Sequence, residues 1–202
     1  MRILFLALVS VLAAMINIGF VIWVKKTKDI QQYFKIALVA GITGMLFCGC
    51  QGTVQQIILC IANETLLFTA YIDFKTQEVY RIIWAFPMAI AGMGISYTKE
   101  AILSLGIFFI LQFFLFSKFY GKADSFCFCL SAETIVISNG QLLDCLIHML
   151  IALTLMFVAN LCKHNVDKHL KLKKPEPFIP YIYIAWIFII FRLNGGIRYV
   201  FL

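Results

Sequence analysis

A run of 22 residues from Ile3 to Val24 contains no charged side chain. A helix of about 20 apolar residues is long enough to cross roughly 30 Å of hydrocarbon. The run is longer than the apolar core of a secretory signal peptide, and no small-x-small cleavage site separates it from the basic cluster that begins at Lys25. We therefore expect this run to be a membrane-spanning helix of the mature protein.

The rest of the chain is similarly apolar. Hydrophobic residues make up 62% of the 202 residues and charged residues 13%, whereas soluble domains contain about one half and one quarter. Charges and turn residues divide the chain into apolar segments at about 3–24, 36–50, 54–72, 80–97, 101–117, 125–138, 142–161 and 178–193. These segments lack the two-residue alternation of a membrane β-barrel. The sequence predicts an all-α fold: one domain over 1–202, a polytopic transmembrane bundle of about eight helices, or six to seven if short segments do not span.

The basic residues indicate how these segments cross the bilayer. If Met1 lies outside, the inner loops are 25–35, 73–81, 118–124 and 162–177, and they hold 13 of the 17 Lys and Arg residues. This asymmetry satisfies the positive-inside rule and accounts for the net charge of +7 without nucleic acid as a partner. We expect a multi-pass protein of the plasma membrane, with the lipid bilayer around it.

Two aspartates occupy comparable places in this threading. Asp73 ends the third apolar segment and Asp124 follows the fifth, so both fall at the inner boundary. Two carboxylates at equal depth can share one proton, because neighbouring negative charges repel. The ionised carboxylate then takes a proton from water while the protonated one donates to a scissile carbonyl, as an aspartic peptidase requires. Gly121 would let the backbone approach a substrate closely and would tolerate a positive φ.

Three stretches resemble motifs of the type IV prepilin peptidases, which are membrane aspartic peptidases of the GxGD type. The stretches are IDFKTQ at 72–77, GKAD at 121–124 and PFIPY at 177–181. The first is similar to the motif in which an aspartate ends an apolar helix, the second to G-x-G-D, and the third to the proline-framed opening of the last helix. They occur in the family order within about residues 36–195.

The resemblance implies an aspartic endopeptidase that removes a basic leader from a pilin-like precursor, just before the hydrophobic helix of that precursor, at the cytoplasmic face. It implies Asp73 and Asp124 as the catalytic pair and Gly121 as the motif glycine. Water is the nucleophile, and no metal or cofactor is expected. The segment containing Pro177, Phe178 and Pro180 would help to close the substrate site.

The sequence also departs from the family pattern. Ala123 replaces the second glycine of G-x-G-D, so the loop geometry is expected to differ, and the first motif continues into Glu78-Val79-Tyr80-Arg81 instead of its usual residues. Loop 25–35 contains no cysteine, which predicts peptidase activity without the methyl transfer of the larger family members. The departures leave a catalytically inactive homologue as one alternative.

Other polar residues allow competing interpretations. Lys75 and Lys122 either attract acidic substrate residues and tune the pair, or anchor the inner loops. Glu64 and Glu133 each lie nine residues from one of the two aspartates, about 13 Å along a helix and on its opposite face. We expect them either to form polar pairs between helices or to lie at the outer boundary of the membrane. Together with Asp144 they could instead make the path of a small transporter or channel.

The remaining candidates are histidines and cysteines. Asp144 and His148 are four residues apart and share a helix face, which predicts a charge-paired histidine or a proton pathway. Cys162 and His164 suggest a cysteine peptidase, although residues two apart on a helix do not face each other. The seven cysteines form no C-x-x-C pair, so we expect them to be small buried apolar side chains.

Overall fold

A computed structural model describes residues 2–25, 30–44, 52–80, 82–96, 98–166 and 177–194. Three regions of interest in the sequence lie wholly or partly outside these ranges: Cys48 and Cys50, most of loop 162–177, and Arg81. The side chain of His164 is also outside the description.

The described residues form helices and no strand. The α-helices are α1 (Arg2–Lys25), α2 (Ile30–Gly44), α3 (Thr53–Thr76), α4 (Ile82–Gly94), α5 (Lys99–Ile110), α6 (Lys122–Ile137), α7 (Leu142–Val166) and α8 (Ile179–Leu193). A π-helical turn, Leu111–Leu115, and a 3₁₀ turn, Phe116–Lys118, continue α5. The predicted all-α fold class is therefore confirmed, and each predicted apolar segment corresponds to one helix. The largest shift is in α2, which begins six residues before the predicted segment.

Within the part of the chain that the structure describes, four helices are long and apolar enough to cross a membrane. They cover Leu4–Ile22, Thr53–Thr76, Lys99–Lys118 and Leu142–Cys162, while α4 and α8 are shorter apolar helices. Large side chains such as Leu4, Met93 and Leu150 remain exposed on the outside of the bundle. An exposed apolar surface of this extent is expected of a protein that faces lipid, so the fold supports an integral membrane protein.

The centre of the bundle is α3, which packs against α1, α2, α4, α6 and α8. Its neighbour α6 is short, but residues 127–135 are buried throughout. Trp84, Phe128 and Trp186 are among the largest fully buried side chains of the core. The end of α3 and the beginnings of α6 and α8 meet on one side of this core.

Candidate active site

Asp73 lies in the last turn of α3, where the helix is about to end. Gln77 adopts the left-handed conformation, with φ of 56°, and its N–H donates to the Asp73 carbonyl. This backbone geometry is a common way to terminate a helix. The Asp73 side chain is 8% exposed, so its carboxylate is largely removed from water and requires partners inside the protein.

The partners of Asp73 come from the beginning of α8. The Ile179 N–H donates to Asp73 Oδ2 at 3.0 Å, and the Phe178 N–H also interacts with this carboxylate. The first N–H groups of a helix lack acceptors within the helix, and Pro180 contributes no N–H at all. A negative carboxylate at the N-terminus of a helix is also favoured by the helix dipole. The proline-framed segment thus presents its two free N–H groups to Asp73.

Asp124 lies in the first turn of α6, ahead of the apolar part of that helix and outside the four long apolar helices. Its Oδ2 accepts the Gly121 N–H at 2.9 Å. Burial raises the pKa of the Asp124 carboxyl to about 7, the negative charge of Asp73 acts in the same direction, and the Gly121 N–H opposes both. The charge of Asp73 thus acts on Asp124 across two helices that pack together.

Aromatic side chains connect the two halves of this site. The Tyr120 ring lies 5.4 Å from the Phe178 ring and 5.5 Å from the Phe128 ring, measured between centroids. Phe128 in turn lies 5.7 Å from Phe178. Aromatic contacts of this kind stabilise a fold by more than the burial of their apolar area alone. The residues beside Asp124 are thereby packed onto the segment that holds Asp73.

The reason for a glycine at position 121 differs from the one predicted. Gly121 has φ of −68°, an ordinary extended conformation, so the tolerance of glycine for a positive φ is not used here. A Cβ atom at this position would lie 3.3 Å from Asp124 Oδ2. Glycine thus leaves room for the close approach of the carboxylate to the backbone.

The substitution of alanine for the second motif glycine is also explained by the structure. Ala123 lies within the first turn of α6, and the described non-glycine residues with positive φ are Gln77 and Asn139. A residue in helical conformation accepts a methyl group without backbone strain. Ala123 is therefore accommodated beside Asp124 without backbone strain.

The two lysines beside the aspartates are exposed. The Lys75 ammonium lies 5.1 Å from the centre of the Tyr71 ring, a cation–π distance. Lys122 is the exposed first residue of α6. Pro177 and Pro180 are half-buried and flank the buried Phe178. The sequence places the lysines beside the aspartates, but the groups that bind the two carboxylates are backbone N–H groups.

Sequence reasoning missed two residues of this region, Gln112 and Tyr120. The Tyr120 hydroxyl donates to Gln112 Oε1, and Gln112 is 0% exposed. A glutamine within an apolar run was a usable signal, because a polar side chain in such a place needs a partner. Tyr120 directly precedes the GKAD stretch.

The other intramembrane acids are not part of the pair. Both carboxylate oxygens of Glu64 are buried without a hydrogen-bond partner among the described residues, and so is Oε2 of Glu133. The expectation that Glu64 forms a polar pair between helices is therefore wrong. It rested on the cost of an unpaired charge in hydrocarbon, and a protonated carboxyl group avoids most of that cost.

Asp144 and His148 do not form the predicted pair. Asp144 forms an ion pair with Arg192 of α8 and accepts the Gln141 N–H at 2.8 Å. His148 is fully buried, and its Nε2 lies 3.0 Å from the Ile182 carbonyl oxygen. Arg192 is 48 residues further along the chain, which is why helix spacing alone favoured the wrong partner.

The cysteines are mostly core residues. Cys60, Cys127, Cys129 and Cys145 are buried, as predicted, whereas Cys162 is exposed. Among the described residues no three His, Cys, Asp or Glu side chains are grouped so that they could hold a metal ion.

Comparisons of the chain with protein-family models, with curated proteins and with solved structures each found no match. The resemblance to prepilin peptidases therefore depends on the three motif stretches. In the structure, residues from all three stretches lie around Asp73 and Asp124.

Proposed function

We propose that this protein is a membrane-embedded aspartic endopeptidase. The observation that carries the proposal is the coupling of Asp73 and Asp124, two shielded carboxyl groups from different helices, each bound by backbone N–H groups. Perturbed carboxyl pairs of this kind are typical of sites that move protons. Surface carboxylates with no chemical task would instead be expected to face water separately.

The reaction uses the pair as one acid–base unit. An ionised carboxylate takes a proton from water as the water oxygen attacks the scissile carbonyl carbon, and the protonated carboxyl donates to the carbonyl oxygen. When the tetrahedral intermediate collapses, the C–N bond breaks, the leaving amine takes the proton that the pair received from water, and a hydroxyl of the intermediate returns its proton to the pair as the new carboxyl group forms. The pair holds one proton in total, and that proton belongs to the unit and not to either residue.

The substrate follows from the motif resemblance. It is a pilin-like precursor with a basic leader and a hydrophobic helix, cut at the cytoplasmic face of the plasma membrane and without methylation of the new N-terminus. The end of α3 and the beginnings of α6 and α8 lie together. In the threading with Met1 outside, these three points all face the cytoplasm, where such a leader is accessible.

The test is cleavage of such a precursor by the purified protein in proteoliposomes. We expect Asp73→Asn and Asp124→Asn each to abolish cleavage while the protein remains folded. Glu78→Gln, which alters an exposed carboxylate five residues after Asp73, should retain activity. Full activity of either Asn variant would exclude the proposed mechanism, and an inactive wild-type protein would favour a catalytically inactive homologue.

A small transporter or channel remains the second candidate because of Glu64. A fully buried carboxyl group without a partner in the described core is a known feature of proton pathways. The transporter interpretation predicts proton or cation flux in vesicles that is lost in Glu64→Gln and is indifferent to Asp73→Asn. The peptidase interpretation predicts the reverse dependence for cleavage.

A further inference from the structure

The helix α5 ends in an irregular turn next to the carboxylate pair. Residues Leu111–Leu115 form a π-helical turn, and Gln112 is its buried member. Single π-turns at the end of an α-helix are uncommon and often occur at functional sites. The turn brings both the side chain and the backbone carbonyl of Gln112 toward the region around Asp124.

Gln112 makes three polar contacts there. Its Oε1 accepts the Tyr120 hydroxyl, and its backbone carbonyl accepts the Ser125 hydroxyl at 3.4 Å. Its Nε2 lies 3.4 Å from the Met149 sulfur of α7. A fully buried amide and a fully buried serine hydroxyl are thus both satisfied, which fixes their positions because unpaired polar groups are costly inside a protein.

The two hydroxyl partners of Gln112 lead to the two aspartates. Ser125 is the residue after Asp124 in the first turn of α6. Tyr120 packs on Phe178, and the N–H groups of Phe178 and Ile179 bind Asp73. Gln112 therefore contacts Tyr120 through its side-chain oxygen and Ser125 through its backbone carbonyl, although the segment formed by α5 and its π-helical turn contributes no carboxylate to the pair.

We propose that Gln112 is a positioning residue, which fixes Tyr120 and the first turn of α6 against the beginning of α8 and so sets the separation of the Asp73 and Asp124 carboxyl groups. The inference rests on the proposed peptidase function. Displacement of reacting groups by about 1 Å can reduce a rate about 100-fold. A small change in the distance between the two carboxyl groups on loss of the Gln112 contacts would therefore lower the rate of cleavage.

The test compares Gln112→Leu and Tyr120→Phe with Gln55→Leu. Gln112→Leu replaces the amide by a slightly smaller apolar side chain, and Tyr120→Phe removes a single oxygen atom. Gln55 is the matched control, because its Nε2 donates to the Ile137 carbonyl at 3.3 Å at the opposite end of α3 and α6. We expect Gln112→Leu and Tyr120→Phe to lower kcat about 10- to 100-fold with little change in KM, and Gln55→Leu to keep the wild-type kcat.

The Gln112→Leu/Tyr120→Phe double variant should be no slower than the slower single variant, because the two changes break the same hydrogen bond. A wild-type kcat in Tyr120→Phe would overturn the inference. So would a loss of kcat in Gln55→Leu as large as that in Gln112→Leu at an equal loss of thermal stability. In either case, cleavage by the wild-type protein would still support the peptidase. A readout independent of cleavage is the pH dependence of the melting temperature. It should change in Tyr120→Phe and Gln112→Leu, and an unchanged dependence in both also overturns the inference.

Discussion

The Ile179 N–H donates to the Asp73 carboxylate at 3.0 Å, across 106 residues of sequence. Asp73 also accepts the N–H that terminates α3 with its backbone carbonyl, while its carboxylate caps the beginning of α8 and acts electrostatically on Asp124. Negative charge at the N-terminus of α8 is stabilised by about 0.3–1 kcal/mol in ordinary cases. Asp73 thus has a structural task that is separable from its proposed chemical task.

Replacing Asp73 by Asn and by Leu separates these tasks. Asn keeps an oxygen that can accept the Ile179 N–H, whereas Leu leaves that buried N–H without an acceptor. We expect Asp73→Leu to be less stable than Asp73→Asn by about 1–3 kcal/mol, measured by thermal unfolding in detergent, and both to be inactive. Equal stability of the two variants would show that the Ile179 contact does not contribute to the fold.

The pH dependence follows from Asp124, whose pKa is raised by burial and by Asp73 from 3.8 to about 7. The folded protein keeps this proton between about pH 4 and 7, where the unfolded chain has lost it. The proton therefore stabilises the fold fully below about pH 4, and that contribution is lost as the pH rises through about 7. Cleavage should fall above pH 7 as well, because the pair loses its shared proton.

The measurement is the melting temperature and the cleavage rate of the wild-type protein from pH 4 to 9. Asp124→Asn cannot ionise at this position, so its melting temperature should depend less on pH between 4 and 7. Glu78→Gln serves as the control with a wild-type dependence. A rate that still rises between pH 7 and 9 would contradict a singly protonated pair.

The helices could be predicted because each apolar run is long and bounded by charges. The lengths and boundaries of α3, α5, α7 and α8 follow from this pattern to within a few residues. The role of α6 did not follow, because a short run can be re-entrant, tilted or central, and only the packing shows that it lies in the core. The early start of α2, within a polar stretch that includes Lys35, was not signalled by hydropathy either.

The carboxylate pair could also be predicted, since Asp73 and Asp124 each stand at the end of an apolar run on the same side. The groups that bind the pair could not be predicted. Ile179 and Phe178 bind Asp73 through backbone N–H groups, which any residue possesses, so their side chains carry no signal of it. A different reason explains the failure for Asp144, because its side-chain partner Arg192 is distant in sequence and meets it only through the packing of α7 against α8.

The buried Glu64 gives a prediction that separates the two candidate functions. Glu64→Gln keeps the shape of the side chain and removes the possibility of ionisation. Because no described group compensates a charge at this position, we expect a melting temperature at pH 7 equal to or above that of the wild type, and unchanged precursor cleavage. Flux measurements in proteoliposomes complete the test, since loss of a wild-type proton flux in this variant would support the transporter instead.

The contact between Gly121 and Asp124 leads to a prediction about the smallest possible change at the site. In Gly121→Ala the new Cβ would lie 3.3 Å from Asp124 Oδ2, a distance that makes the carboxylate move by a few tenths of an ångström. The backbone φ of −68° suits alanine, so the fold should be unaffected. We expect kcat for precursor cleavage to fall several-fold, in line with the sensitivity of rates to small displacements. Gly106→Ala is the control, because nothing lies within 4 Å of its new Cβ and an alanine inside a helix is favourable by about 0.5–1 kcal/mol. If Gly121→Ala cleaved as fast as Gly106→Ala, the close approach of this carboxylate to the backbone would have no part in the chemistry.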